Sequence, residues 1–249
     1  GCSCPGDPSP PPPPPLPPLV PGEAVARTPQ DIQVEIDKAT AENRNAIVYV
    51  PPGARLAFGG KVKCSGDMHL SVRSSGEGAT LDGKKSSSMF DISSGCSLSL
   101  EALHFVDGRG DDGGAVRAVG AGDIAMRDVS FTGCEATKSG GGMFVLSSGG
   151  VSLESASFSE CTAANDGGGM YVENSGGVAL ESASFSECTA SDNGGGMTVY
   201  NSGDVSLKGA SFSECTAGSN GGGMDVYISG DVSLDGASFS ECTAGDNGG

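Results

Sequence analysis

The chain has 249 residues and a net charge of −17, with only 14 Lys and Arg. So acidic a chain has no basic surface with which to neutralise nucleic-acid phosphates or to lie on an anionic membrane, which excludes both as partners. Its 42 glycines stand far above the ~7% usual in globular proteins and need a structural cause, while no apolar run reaches the ~20 residues of a membrane-spanning helix.

Residues 1–27 are proline-rich: eleven of the fourteen prolines fall between Pro5 and Pro21, with an unbroken run from Pro10 to Pro15. Proline fixes φ and lacks an amide hydrogen, so this segment is expected to be a disordered or polyproline II linker. Its Ser-Pro character resembles cell-wall hydroxyproline-rich glycoproteins and equally suits an ordinary linker or an SH3-type ligand. The chain begins at Gly1, so a removed signal peptide or a missing upstream region is an open expectation, and Cys2 after Gly1 suits a lipoprotein cleavage site.

From residue 28 to 249 the pattern predicts one all-β solenoid with a helical cap. Residues 28–45 carry the cap: Thr28 suits an N-cap, Pro29 suits the first helical position, and Ile32, Ile36 and Ala39 recur at i, i+4, i+7. Residues 46–112 read as irregular coils, opening with the apolar strand Ala46 to Val50, which Pro51-Pro52-Gly53 stops.

Residues 113–249 repeat. Four copies of 27 residues begin at Gly140, Gly167, Gly194 and Gly221, and a degenerate earlier copy supplies Gly113-Gly114-Ala115-Val116, Phe131 and Cys134. Such a unit is too short for a propeller blade of ~40 residues. Within a copy, Val151-Ser152-Leu153-Glu154 and Ala156-Ser157-Phe158 alternate apolar with polar, the mark of strands with one buried face. Coils of equal length stack equivalent residues ~4.8 Å apart, so the Met, Val, Leu, Ala and Phe columns are expected to point inward as ladders. Glycine triplets suit tight corners, and no proline follows Pro52 to interrupt the sheets.

These residues resemble the pectin-lyase-like right-handed parallel β-helices, and among them the repeats of chlamydial polymorphic outer membrane proteins. Those repeats carry a GGA[ILV] and an FxxN tetrapeptide. Gly113-Gly114-Ala115-Val116 matches the first; later copies read Gly-Gly-Gly-Met, and Phe158-Ser159-Glu160-Cys161 has cysteine where the family has asparagine. The segment from Asp31 to Gly53 is similar to the cap helix and first coil of pectin-lyase-like domains. The resemblance implies a right-handed parallel β-helix of about 27-residue coils, an extracellular or cell-surface setting, and adhesion or display.

Catalysis on this fold would need paired carboxylates, a base or a calcium cluster. From Gly140 onward there are fourteen Asp and Glu against one base, Lys208, so a polyuronate would be repelled and no catalytic residue is nominated. The cluster Asp107-Gly108-Arg109-Gly110-Asp111-Asp112 is expected to be a polar turn, its Arg-Gly-Asp triplet a chance match. Only Tyr200 and Tyr227 share a repeat column able to line a groove, and scattered outward tyrosines are the plainer reading.

Cys134, Cys161, Cys188, Cys215 and Cys242 form one column beside the ladder Phe131, Phe158, Phe185, Phe212 and Phe239. In-register thiols point alike, so buried reduced cysteines are expected rather than disulfides or zinc. Phe158 and Cys161 lie three positions apart, so both face inward only across a bend.

The column Glu160, Glu187, Glu214 and Glu241 stacks like charges ~4.8 Å apart. Calcium is the candidate ion there, a salt-screened acidic face being the competing reading, and no other cofactor is expected. The chain stops at Gly248-Gly249 on the opening of another copy, so further coils or end-to-end self-association are expected. The functional expectation is a non-catalytic extracellular or cell-surface protein with a structural, display or adhesive role toward a glycan or protein ligand. A polysaccharide-active enzyme, a lyase or glycoside hydrolase, is the alternative.

Overall fold

The computed structural model describes residues 19–248; the proline run, Cys2 and Cys4 lie outside that range. The cap helix runs Pro29–Ala41. Thr28 Oγ1 accepts from the Asp31 amide at 3.2 Å, and the Asp31 carboxylate accepts from the Thr28 amide at 2.8 Å, a reciprocal capping box. Ile32, Ile36 and Ala39 are buried, as their spacing predicts, and the helix packs on the strands Ala46–Tyr49 and Val62–Ser65.

Beyond the cap, parallel strands form sheets of 15, 7 and 6 strands. One coil shows the logic. Met143–Leu146 lies in the seven-stranded sheet, Val151–Glu154 and Ser157–Ser159 in the fifteen-stranded one, and Thr162–Ala163 in the six-stranded one. Between them the backbone turns through left-handed residues: Ser147 at φ 49°, Ser155 at 52°, Glu160 at 53° and Gly167 at 65°. The bend required between Phe158 and Cys161 is therefore made at Glu160, and both side chains are fully buried. Equivalent residues pair in register from coil to coil, as Met143 with Met170, Val151 with Val178 and Phe158 with Phe185. The chain is thus an all-β right-handed parallel solenoid with one short helix near its N-terminus.

The inward columns make the core. Rings of Phe105, Phe131, Phe158, Phe185, Phe212 and Phe239 stack at centroid separations of 4.6 to 4.9 Å. In the three copies from Gly140 to Asn220 the Met, both Val, Leu, Ala and Phe positions are all buried. In the copy from Gly221 the same columns lie open, with Val232, Leu234 and Phe239 each about half exposed, because elsewhere it is the next coil that covers them. Cys134, Cys161, Cys188 and Cys215 are free and buried, and Cys242 is free and half-buried. The thiols of Cys161, Cys188 and Cys215 donate to the carbonyls of Phe131, Phe158 and Phe185 at 3.5 to 3.7 Å, and neighbouring thiols together with burial push the Cys161 thiol well above its ordinary value.

Upstream the coils differ in length. Ala46 pairs with Leu70, Leu70 with Leu98 and Leu98 with Ile124, giving coils of 24, 28 and 26 residues. Here a disulfide joins Cys64 and Cys96, both fully buried.

One corner is strained. The position held by Ser147, Asn174 and Asn201 is Ile228 in the last copy, at φ 50°. The left-handed region is tolerated by asparagine and disfavoured for a β-branched side chain by roughly 1–2 kcal/mol. Ile228→Asn is therefore expected to stabilise the chain by about 1 kcal/mol, read as a higher denaturant midpoint at unchanged slope, whereas Asn201→Ile should cost about as much.

Candidate functional site

Comparing the four copies position by position separates scaffold from surface. The segment Ala156-Ser157-Phe158-Ser159-Glu160-Cys161-Thr162-Ala163 recurs unchanged in all four. The two outward positions of the seven-stranded sheet do not: the first is Phe144, Tyr171, Thr198 and Asp225, and the second is Leu146, Glu173, Tyr200 and Tyr227. The first of these columns is the one position of the repeat at which all four copies differ, while the core columns beneath it stay fixed. Corners and the outer face of the fifteen-stranded sheet vary less, as in Glu154, Glu181, Lys208 and Asp235.

That face carries a groove of about 630 Å³. Tyr171, Thr198 and Asp225 form one wall, Tyr200 and Tyr227 line it from the second outward column, and Asp166, Asn193 and Asn220 flank it from the corner before each glycine triplet. The corner residues are chained by their amides. Asn193 Nδ2 donates to Asp166 Oδ1 at 2.8 Å, Asn220 Nδ2 to Asn193 Oδ1 at 2.9 Å, and Asn247 Nδ2 to Asn220 Oδ1 at 2.9 Å. Each asparagine spends one N–H on its neighbour and keeps a second. Thr198 Oγ1 donates to the Asn193 carbonyl at 2.9 Å, which fixes the wall to the corner.

The rings of Tyr200 and Tyr227 stack at 5.6 Å and 13°. The two rings cover one another's facing sides, so the groove is offered their edges and hydroxyls. Tyr171 donates its hydroxyl to Glu173 Oε2 at 2.9 Å, and burial, followed by that hydrogen bond, pushes its phenol well above the ordinary value. Burial, and secondarily the charge of Asp166, likewise raises the Asp225 carboxyl. Because the folded value lies above the unfolded one, ionising Asp225 costs stability. The penalty is absent below the usual carboxylate range and develops as pH rises through the folded value. Asp225→Asn is accordingly expected to raise the thermal midpoint at neutral pH and to leave it unchanged at about pH 3, as a pair of melting curves would record.

The sequence put Tyr200 and Tyr227 in one column able to line a groove and favoured plain outward tyrosines; the structure places both on this groove. The sequence reading left out Asp166, Tyr171, Asn193, Thr198 and Asp225, which are unlike residues at equivalent positions of successive copies; comparing copies for difference rather than identity is the signal that finds them. Glu160, Glu187, Glu214 and Glu241 stand exposed in one column, each at a left-handed corner with φ of 53° or 54°. Among the described residues no three His, Cys, Asp or Glu side chains gather as a preformed metal site, so calcium on this column would draw its remaining oxygens from water.

The Arg-Gly-Asp segment is not the turn expected of it. Arg109–Gly110 is a strand paired with Glu135–Ala136, at the start of the six-stranded sheet. The Arg109 guanidinium contacts Glu135 Oε1 at 3.1 Å, and Asp111 Oδ1 accepts from Thr137 Oγ1 at 3.3 Å. Cross-coil pairing of these side chains holds the segment flat on its neighbour. Charges elsewhere are also paired between coils, as in Arg117 with Asp91, Arg127 with Glu154 and Lys208 with Glu181. No helix among the described residues is long and apolar enough to cross a membrane.

Among solved structures, the chain is similar to PfbA, a surface adhesin of Streptococcus pneumoniae, at 13% identity and a TM-score of 0.46, covering 75% of this chain and 58% of that one. It is similar to the ORF18 protein of Geobacillus virus E2 at 12% identity and 0.36, covering 88% and 56%, so it spans little more than half of either protein. The A-module of the Azotobacter vinelandii mannuronan C-5 epimerase AlgE4 is similar at 14% identity and 0.30, covering 85% and 73%. No curated protein sequence matches the chain. Residues 114–249, more than half of its length, match the family described as right-handed β-helix region, and the chain belongs to that family.

Proposed function

We propose that this protein is a non-catalytic extracellular or cell-surface β-helix with a display or adhesive role, and that the groove on its seven-stranded sheet is the contact surface for a glycan. The observation that carries the reading is that the one repeat position differing in all four copies, Phe144, Tyr171, Thr198 and Asp225, supplies a wall of that groove through the last three, over a core that does not vary between copies. Tyrosine edges, free amide hydrogens and carboxylates in a long shallow trough are the groups that hydrogen-bond sugar hydroxyls. The Cys64–Cys96 disulfide supports an oxidising, exterior compartment.

The groove runs along the solenoid axis, across the strands, so a bound polymer meets a new coil every ~4.8 Å. Side chains on one face of an extended peptide recur every ~6.6 Å and fall out of step, whereas one sugar of an extended polysaccharide advances by about one rung. A panel of extracellular polysaccharides is expected to yield a ligand whose binding is lost in Tyr200→Ala and Tyr227→Ala; unchanged binding in both variants would overturn the groove as the contact surface.

A polysaccharide-active enzyme is the second reading, favoured by Asp166 and Asp225, which face the same groove from coils two apart, burial giving the Asp225 carboxyl the raised affinity for a proton that a general acid needs. Release of new reducing ends from the bound glycan, abolished by Asp225→Asn, would establish it. Binding without turnover would leave the adhesive reading.

A further inference from the structure

We propose that the ligand of this groove is a glycan bearing free amino groups, a polymer of cationic amino sugars rather than neutral or acidic ones. The proposal rests on the groove being a glycan site and names the chemical class that its charge and shape select.

Asp166 and Asp225 face the groove from its corner and its wall, and Glu173 borders it through the Tyr171 hydroxyl. No cation answers them. Lys208 is the single Lys or Arg between Gly140 and Gly249, and it lies on the fifteen-stranded sheet, 2.7 Å from Glu181. Upstream, arginines are matched by carboxylates across coils; in the repeats carboxylates outnumber cations fourteen to one, and three of them gather along this one trough. Burial lifts the Asp225 carboxyl and Asp166 adds to it, as expected of acids sharing a partly desolvated site. An ammonium group entering the trough would relieve that repulsion, while a uronate or sulfated chain would add to it.

The aromatic geometry agrees. Stacked tyrosines offer ring edges, which carry partial positive charge and suit sugar hydroxyl oxygens, so the attraction for a cation falls to the carboxylates. The remaining N–H of Asn193 and Asn220 and the Tyr200 and Tyr227 hydroxyls are left for the neutral ring atoms. Their repetition by coil fixes the register of a chain of sugars and leaves a cationic peptide out of step.

The chain holds no tryptophan and four tyrosines, three of which line the groove, so tyrosine emission reports on occupancy directly. The experiment titrates the whole chain at about pH 6, where an amino sugar is largely protonated. The probes are a β-linked glucosamine hexasaccharide, its fully N-acetylated form, a galacturonate hexasaccharide and hexalysine, all at one ionic strength. The glucosamine oligomer is expected to bind at least about tenfold more tightly than any other probe, with that preference lost in Asp225→Asn and in the Asp166→Asn/Asp225→Asn double variant. Asp225→Asn is the useful single change because it removes charge without threatening the fold. Equal affinity for the N-acetylated oligomer would overturn the charge selection and leave the glycan reading standing. Tighter binding of hexalysine would replace the amino-glycan with a basic peptide, and no binding by any probe would overturn both readings.

Discussion

Gly168→Ala is expected to destabilise the stack by more than about 3 kcal/mol and to lower the thermal midpoint more than any surface change. The second glycine of each triplet lies against the backbone of the next coil. A Cβ on Gly168 would fall on the Gly195 carbonyl oxygen and within 2.6 to 2.7 Å of the Thr189 carbonyl group. These are backbone atoms held in register on both sides, through Gly168 N–H to Gly194 at 3.1 Å and the Thr189 amide to Cys161 at 2.9 Å. Relief would require parting two coils, and the hydrogen bonds beside them would be lost with the contact. The third glycine differs, since the earlier copy already holds Ala115 at that position, fully buried. Gly60→Ala is the control, because nothing lies within 4 Å of its added Cβ. Similar midpoints for the two variants would mean that the coils are not packed at this separation.

Phe185→Ala is expected to cost about 3–5 kcal/mol, the usual loss for truncating a fully buried aromatic. Its ring lies between those of Phe158 and Phe212 at 4.7 and 4.8 Å, so truncation opens a cavity that neither neighbour can fill without leaving its own stack. Ser184→Ala, one residue earlier on the outer face, should change stability by less than about 0.5 kcal/mol. Because a solenoid's coils contact only their neighbours, the damage should be local. Hydrogen exchange would rise in the coils containing Phe158, Phe185 and Phe212 and stay unchanged around the Pro29–Ala41 helix. Equal costs at positions 184 and 185 would place the wrong face inward.

Sequence alone determined the period, the sheet class and the identity of the core. Those features repeat: Met143, Val145, Val151, Leu153 and Phe158 recur at one spacing, and stacked coils turn a linear period into ladders with no further information. The cap helix was equally legible, since Thr28 and Pro29 mark its start and Ile32, Ile36 and Ala39 mark one face. Tertiary structure decided what depends on coils of unequal length or on differences between copies. Cys64 and Cys96 meet only because the irregular upstream coils bring them together, a pairing that no constant period predicts. Arg109–Gly110 reads locally as a turn and becomes a strand because Glu135–Ala136 lies alongside to pair with it. The groove is assembled from Asp166, Tyr171, Asn193, Thr198, Tyr200 and Asp225, drawn from columns whose residue type changes from copy to copy. Burial of a column needs only the same residue in every coil, which a period reveals. A recognition surface needs different residues side by side, and only the stacking of the coils puts those next to one another.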